Sequence, residues 1–404
     1  MSSSAVVEAP GKTSDTTSAK TEPKVRLQAL DAFRGLTIAL MLLVNNIEIE
    51  AIRHPQLGHA EWGQMVTFTD MVFPWFLFCM GVATPFAIAS FKKSGKHWAL
   101  FALRMLQRVL LLAALGVIIT LSENKMVYSG QGILEVIAMA YLVATVFYVL
   151  PTPWRALFTV ALLLGYWWCF LYFPIPGVGA GVLAEDKNFM QFMISSLSQG
   201  AREGRSIPFG GFALMLPAGM LALLGTLIGD FLFKRKSEKN YWLTTALLLL
   251  FGFLMIVLSV VMSQSVPYSK ILFSPAYITL AAGTGTVALA LFTLILDGFR
   301  WRWWAYPLIV FGSNAIVAYF LPIFTKVWIL EGTGFTGLFG RLDWSGFKLN
   351  LGDGYLVSLK DYLVNSLCMG RGVFWGAWSY TIAFIFVWWI ILWVLHKNKL
   401  FLRV

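Results

Sequence analysis

His59 stands eleven residues before Asp70, and Asp70 opens the apolar run MVFPWFLFCMG. An ionised carboxylate at bilayer depth costs about 2.5–3.5 kcal/mol on insertion scales, so Asp70 requires a partner or a wet cavity. The segment between them contains Trp62 and Gly63 and is long enough to fold back and bring the imidazole to the carboxylate. A carboxylate on one ring nitrogen fixes the tautomer and raises the basicity of the other, as general-base catalysis near neutral pH needs. Read as an ordinary loop histidine, His59 would leave Asp70 without that partner. Asn45 and Asn46 close the preceding apolar stretch and put two amides at the same end. His59, Asp70 and Asn45 form the candidate catalytic set.

Cations gather at the other end of these runs. Lys92, Lys93, Lys96, Arg104 and Arg108 fall within one short stretch, and Arg104 and Arg108, at i and i+4, share a helix face. Such a cluster suits the phosphates of a cytoplasmic anionic cofactor, and it equally suits anionic headgroups and the positive-inside bias. Arg34 joins these candidate cations, although Asp31 three residues earlier also makes it half of an interfacial ion pair. Two further acids, Glu135 and Asp230, lie in or beside apolar runs. With Asp31 and Asp70, Glu135 supports a competing reading, a proton path in a transporter or flippase for a polar or lipid-linked solute. No metal site is expected, because the four histidines show no helical ligand spacing and Cys79, Cys169 and Cys368 form no CxxC pair.

These groups must be positioned by membrane helices. Of 404 residues, 58% are hydrophobic and 13% charged, against roughly 25% charged in a soluble domain; mean hydropathy is +0.72. At about 20 apolar residues per crossing, ten spans are predicted, centred near Ile38, Phe78, Leu110, Met139, Leu162, Met220, Leu250, Val287, Val317 and Phe386. The fold class is therefore all-α, a polytopic helical bundle. Nineteen Lys and Arg fall in the alternate connections that include both ends, against eleven in the others, which puts both termini in the cytoplasm. Residues 1–24, rich in Ser, Thr and Lys, read as a disordered tail without a signal peptide, and 25–404 as the membrane domain. The His59 segment then lies outside, with long outer loops at about 174–210 and 331–372. The net charge of +11 comes with no clustered basic face or reader motif, so nucleic acid is not an expected partner.

Two blocks, LDAFRGLTIALMLLVNN (30–46) and HAEW followed by TDMVFPWFLFCMG (59–81), together resemble the heparan-alpha-glucosaminide N-acetyltransferase family and its bacterial relatives. The family pattern is an L-D-x-F-R-G-x-x-x-x-x-M helix ending in V-N, then H-A-x-W, then D-x-V-F-P-x-F-x-F-x-x-G. Weaker similarity continues through RMLQRVLLLAALGVII, GILEVIAMAYLVA, VPYSKILFSPAYI and FGSNAIVAYF. The resemblance implies transfer of an acetyl group from cytoplasmic acetyl-CoA to an amino sugar or glycan on the outer side. His59 would be the catalytic histidine, Asn45 the asparagine of the first helix and Asp70 the acid of the second block. Lys270 and Asn314, from the later blocks, join Arg34, Arg104 and Arg108 as cofactor-binding candidates. Where relatives carry G-V-L-Q-R-L this chain has GILEVI, so Glu135 and Val136 replace a Gln and an Arg, and the cation falls to Arg104 or Arg108. The animal members' lumenal domain has no counterpart here, which implies a bacterial-type member in a cytoplasmic membrane, compatible with a homodimer, and removes the ground for assuming heparan sulfate as acceptor.

Overall fold

The computed structural model describes residues 27–47, 53–124, 132–202, 210–235, 238, 240–332, 335–336, 343–344, 347–351 and 356–401. Thirteen α-helices dominate them: α1 Gln28–Val44, α2 Phe68–Lys93, α3 Trp98–Asn124, α4 Ile133–Phe147, α5 Thr152–Tyr172, α6 Phe189–Arg202, α7 Met215–Arg235, α8 Tyr241–Ser263, α9 Pro275–Thr293, α10 Tyr306–Ser313, α11 Ala315–Thr325, α12 Leu359–Arg371 and α13 Val373–Lys397. In hydrocarbon every backbone N–H and C=O must be satisfied within the protein, and a helix does so within its own segment. Among the described residues, seven of these helices are long and apolar enough to cross a membrane, and the bent pair α10–α11, a broken span or a re-entrant loop, would make eight if it crosses as one. The protein is a polytopic helical membrane protein. Each of the ten predicted centres falls on a helix, but α1, with 17 residues, is at the lower limit of a span and α4, with 15, is below it. The tail predicted over 1–24 lies outside the described residues.

The span predicted around Val317 is broken. α10 and α11 meet at a 70° bend at Asn314, whose φ of −128° and ψ of 54° leave the helical region. Gly312 is a weak helix former, and the Ser313 and Asn314 side chains that follow it compete for backbone hydrogen bonds. The two segments expected as outer loops carry structure of their own. One holds α6. The other holds α12 and two small antiparallel pairs, β1 Phe335–Thr336 with β2 Asp343–Trp344 and β3 Lys348–Asn350 with β4 Leu356–Ser358, so the all-α expectation fails locally there.

α2 and α7 are the most enclosed spans, whereas α3, α5, α8 and α13 turn large apolar side chains such as Leu110, Phe253 and Trp375 outward. Small residues let α2 and α7 approach closely. A Cβ on Gly225 would stand 2.5 Å from the Phe78 carbonyl oxygen, and one on Gly229 2.5 Å from that of Val82. This GTLIG stretch is the small-xxx-small pattern by which membrane helices pack backbone to backbone. α1 and α10 repeat the device, since a Cβ on Gly35 would overlap the Leu308 carbonyl oxygen at 1.7 Å.

We expect Gly225→Leu to force α2 and α7 apart and destabilise the fold by about 1–3 kcal/mol or more. Gly165→Leu on α5, where nothing lies within 4 Å, should be tolerated. Thermal midpoints of the two variants in one detergent check the contrast; equal losses would mean that the close approach does not hold the bundle.

Candidate functional site

Asp70 sits in the first turn of α2, and its side chain is 2% exposed. Thr67 is the N-cap: its hydroxyl accepts from the Asp70 N–H at 3.4 Å, and Asp70 Oδ2 accepts from the Thr67 N–H at 3.2 Å, a reciprocal capping box. The same oxygen accepts from the Ala60 N–H at 3.0 Å. Oδ1 lies 2.8 Å from His59 Nδ1. A carboxylate that needs several donors thus folds the 58–67 segment back onto its own helix, and His59 comes with it, its side chain 60% exposed. Nδ1–H donating to Asp70 leaves Nε2 as the acceptor nitrogen of the ring, with Lys270 Nζ 3.4 Å from it.

Lys270, in the connection before α9, completes the group. Its Nζ is 3.2 Å from His59 Nδ1, 3.4 Å from Nε2 and 3.7 Å from Asp70 Oδ1. Burial pulls its pKa below the usual lysine value, and the Asp70 carboxylate opposes that pull. The structure therefore puts Lys270 at the His59 end, away from the basic cluster with which it was grouped as a cofactor cation. Tyr277 of α9 donates to the Asp70 backbone carbonyl at 2.5 Å, locking α9 to the start of α2.

Asn45 is at the C-cap of α1, and its carbonyl accepts from Lys326 Nζ at 2.8 Å. Among the described residues no hydrogen bond joins it to His59 or Asp70. It lines instead a cavity of about 670 Å³ with Asn46, Glu123, Tyr319 and Lys326. That cavity shares Leu134 and Tyr319 with a second, of about 370 Å³, whose wall includes Arg34, Met41, Arg108 and Ser313. The second shares Ala87, Arg108 and Tyr141 with a third, of about 1140 Å³, bordered by Lys93, Lys96 and Arg104. Arg34 donates to Asp31 at 3.0 Å and to the Gly312 carbonyl at 2.8 Å. Arg108 stacks 4.5 Å from the Tyr141 ring centre. Buried Nε atoms of both arginines donate no hydrogen bond to the described residues. Asn314 is elsewhere, buried at the α10–α11 break with its amide donating to the Leu400 carbonyl at 3.1 Å.

Residues 26–258, more than half of the chain, match the family model for the catalytic domain of heparan-alpha-glucosaminide N-acetyltransferase. The heparan-alpha-glucosaminide N-acetyltransferases of Mus musculus and Homo sapiens are 24% and 23% identical to the chain, each across 73% of it and 53% and 52% of their own lengths. The chain belongs to this family. The resemblance read from the two sequence blocks is thus borne out, and the protein is a member of an acyltransferase family. It spans about half the length of the curated relatives it matches. The part matched to the acetyltransferase catalytic domain contains Arg34, Asn45, His59, Asp70, Arg104 and Arg108, while Lys270, Asn314 and Lys326 lie beyond it.

Two polar groups of this acetyltransferase-family chain escaped the sequence reading. Lys326 was counted only as an outer cation, yet it holds Asn45 and stands 3.9 Å from Glu331. Arg155, counted as an inner-loop charge, is 1% exposed and ion-paired with Asp230, with its guanidinium 4.3 Å from the Tyr148 ring centre. Tyr148 and Thr152 donate to the same Asp230 carboxylate at 2.8 and 2.9 Å, and burial with that carboxylate raises the Tyr148 pKa. Glu135 accepts from the Gly132 N–H at the start of α4, a helix cap.

Arg155→Met should leave Asp230 buried without its ion-pair partner and cost about 3–5 kcal/mol. The double variant Arg155→Met with Asp230→Leu should recover most of that loss in thermal unfolding, as expected when an uncompensated charge, not lost volume, is the cause.

Proposed function

We propose that the protein is a membrane acetyltransferase that takes acetyl-CoA from the cytoplasmic side and acetylates an amino sugar or glycan on the outer side. The reading takes the chain as ten crossings with both ends in the cytoplasm, α1, α4 and the bent α10–α11 pair included. The observation that carries it is the run of three cavities sharing wall residues, from Lys93, Lys96 and Arg104 at one end, past Arg34 and Arg108, to Asn45 at the C-terminal end of α1. His59 and Asp70, held together at the start of α2, border none of the three. A cofactor with phosphates at one end of a long flexible arm fits such a route. Arg104, Arg108 and the adjacent lysines would bind the phosphates, and the arm would run between α1, α2 and α11. α1, with 17 residues, is about 25 Å long at 1.5 Å per residue, so the arm has most of a bilayer to cross.

His59 Nε2 takes the proton from the acceptor amine as its nitrogen attacks the thioester carbon. The C–S bond then breaks, and the proton passes from His59 to the departing thiolate, leaving amide and free CoA. A two-step route, in which Nε2 first accepts the acetyl group and CoA leaves before the amine attacks, uses the same geometry. Asp70 holds the ring in the Nδ1–H form and stabilises the imidazolium that arises. Lys270, or the Asn45 amide at the end of α1, would donate to the developing oxyanion. The transporter reading needs mobile protons on Asp31, Asp70 and Glu135. Asp31 pairs with Arg34, Asp70 has its donors in place, and Glu135 caps α4, so nothing favours that path.

The deciding measurement is acceptor-dependent CoA release from labelled acetyl-CoA by purified protein supplied with glucosamine. His59→Asn should lose about 10²–10⁴-fold in rate while acetyl-CoA still raises its melting point; full activity in this variant would remove His59 from the mechanism. Asp70→Asn should lower kcat more than it raises KM, because it disturbs the ring and leaves the cofactor route alone. Arg108→Ala should do the opposite, weakening the thermal shift given by acetyl-CoA at least several-fold, and an unchanged shift would place the phosphates elsewhere.

A further inference from the structure

Two cavities meet at Glu331. The inner one is the 670 Å³ cavity that contains Asn46, Glu123 and Lys326. The other, of about 610 Å³, lies against α12 and the β3–β4 pair and is bordered by Lys348, Asp361, Tyr362 and Asn365. Glu331 belongs to both walls. Its carboxylate accepts from Lys360 of α12 at 2.9 Å and stands 3.9 Å from Lys326, so the α12 unit is tied to the membrane bundle at the boundary between the cavities. The α12 side lies outside the residues matched to the family.

The two spaces differ in chemistry. In the inner one Glu123 shares the wall with Lys326 and Glu331 and offers a carboxyl group as a hydrogen-bond partner for an amine. Asn46 is 2% exposed; its Nδ2 donates to the Leu42 carbonyl at 2.7 Å, and its Oδ1 accepts no hydrogen bond from the described residues. A buried oxygen left in that condition is unfavourable, and a hydroxyl or ammonium donor entering the cavity would satisfy it. The outer groove presents the half-exposed Tyr362 ring beside the Asn365 amide and the Asp361 carboxylate. An aromatic face next to amide and acid groups suits a sugar, which has apolar ring faces and hydroxyl edges.

We propose that these cavities are consecutive acceptor subsites. The terminal amino sugar occupies the inner cavity, the next residue passes Glu331 into the α12 groove, and the protein selects glycans longer than one sugar. The proposal deepens the acetyltransferase reading and rests on it for the direction of the chain. It is tested by calorimetric titration of the full-length protein in detergent, without acetyl-CoA, using glucosamine and its α-1,4- and β-1,4-linked tetramers. At least one tetramer should bind tenfold or more tightly than glucosamine, a difference of about 1.4 kcal/mol. Tyr362→Ala and Asn365→Ala should each lose most of that gain and leave glucosamine affinity unchanged, while Tyr362→Phe should keep it. Equal affinities for monomer and tetramers, a gain that survives both alanine variants, or no binding of any of the three sugars would overturn the proposal. CoA release with glucosamine, followed in parallel, reports on the enzyme reading separately. Turnover without a tetramer advantage would sink the subsites alone, and tetramer binding without CoA release would sink the acetyltransferase reading alone.

Discussion

One buried anion organises the His59 end of the molecule. Asp70 lies at the start of an enclosed span, where its charge is tolerated only if donors surround it. Those donors come from both sides in sequence: the Ala60 and Thr67 amides and the His59 ring from the preceding segment, and the Lys270 ammonium from the connection before α9. Hydrogen bonds to a charged group are each worth about 1.5–3 kcal/mol, enough together to hold a polar segment against its helix. The imidazole orientation follows from the need to satisfy the carboxylate, so a half-exposed ring is held in place by a buried partner.

The arginines show how the same requirement separates structural from ligand-facing charge. Arg155 meets Asp230, the Tyr148 ring and the carbonyls of Tyr148 and Leu150, and it borders none of the three joined cavities. Arg34 and Arg108 also have partners of their own, and like Arg155 each keeps a buried Nε whose N–H meets no acceptor among the described residues; what sets them apart is that both border a cavity. An arginine enclosed among its partners stabilises the fold, whereas one on a cavity wall can also reach an anion or a carbonyl that enters the cavity.

What could be read from sequence followed the range of the interaction. Apolar runs are local, so all ten predicted centres fall on helices, and the His59–Asp70 pair was legible because eleven residues with a glycine can turn back on themselves. Asp31 and Arg34, one helical turn apart, were legible for the same reason. The family assignment came from residue identities at fixed spacing and needed no tertiary information. Lys270 falls on the outer side in the charge count, but its contact with His59 was not legible because the two are 211 positions apart. Arg155 was invisible for the same reason: a single arginine in a short inner connection looks like topology bias until Asp230 is brought beside it. The β3–β4 pair and α12 were hidden in a segment whose mixed charges and glycines give no period.

The joined cavities depend on departures from regular spanning helices. α1 and α4 are short, and α10–α11 bends by 70° at the depth where the middle cavity opens. A straight helix there would run through Ser313 and Ala315, both in the wall of that cavity. Breaking a helix inside a membrane releases backbone carbonyls that lipid cannot satisfy, and such breaks persist only where protein or water-accessible space takes them up. Arg34 takes up one of them, donating to the Gly312 carbonyl at the end of α10, and Gly35 beside it has no side chain to hold α1 and α10 apart. The residue that makes the break tolerable is thereby fixed on the cavity wall with part of its guanidinium uncommitted. The opening through the bundle and the cation that faces it have a common origin in the α1–α10 contact.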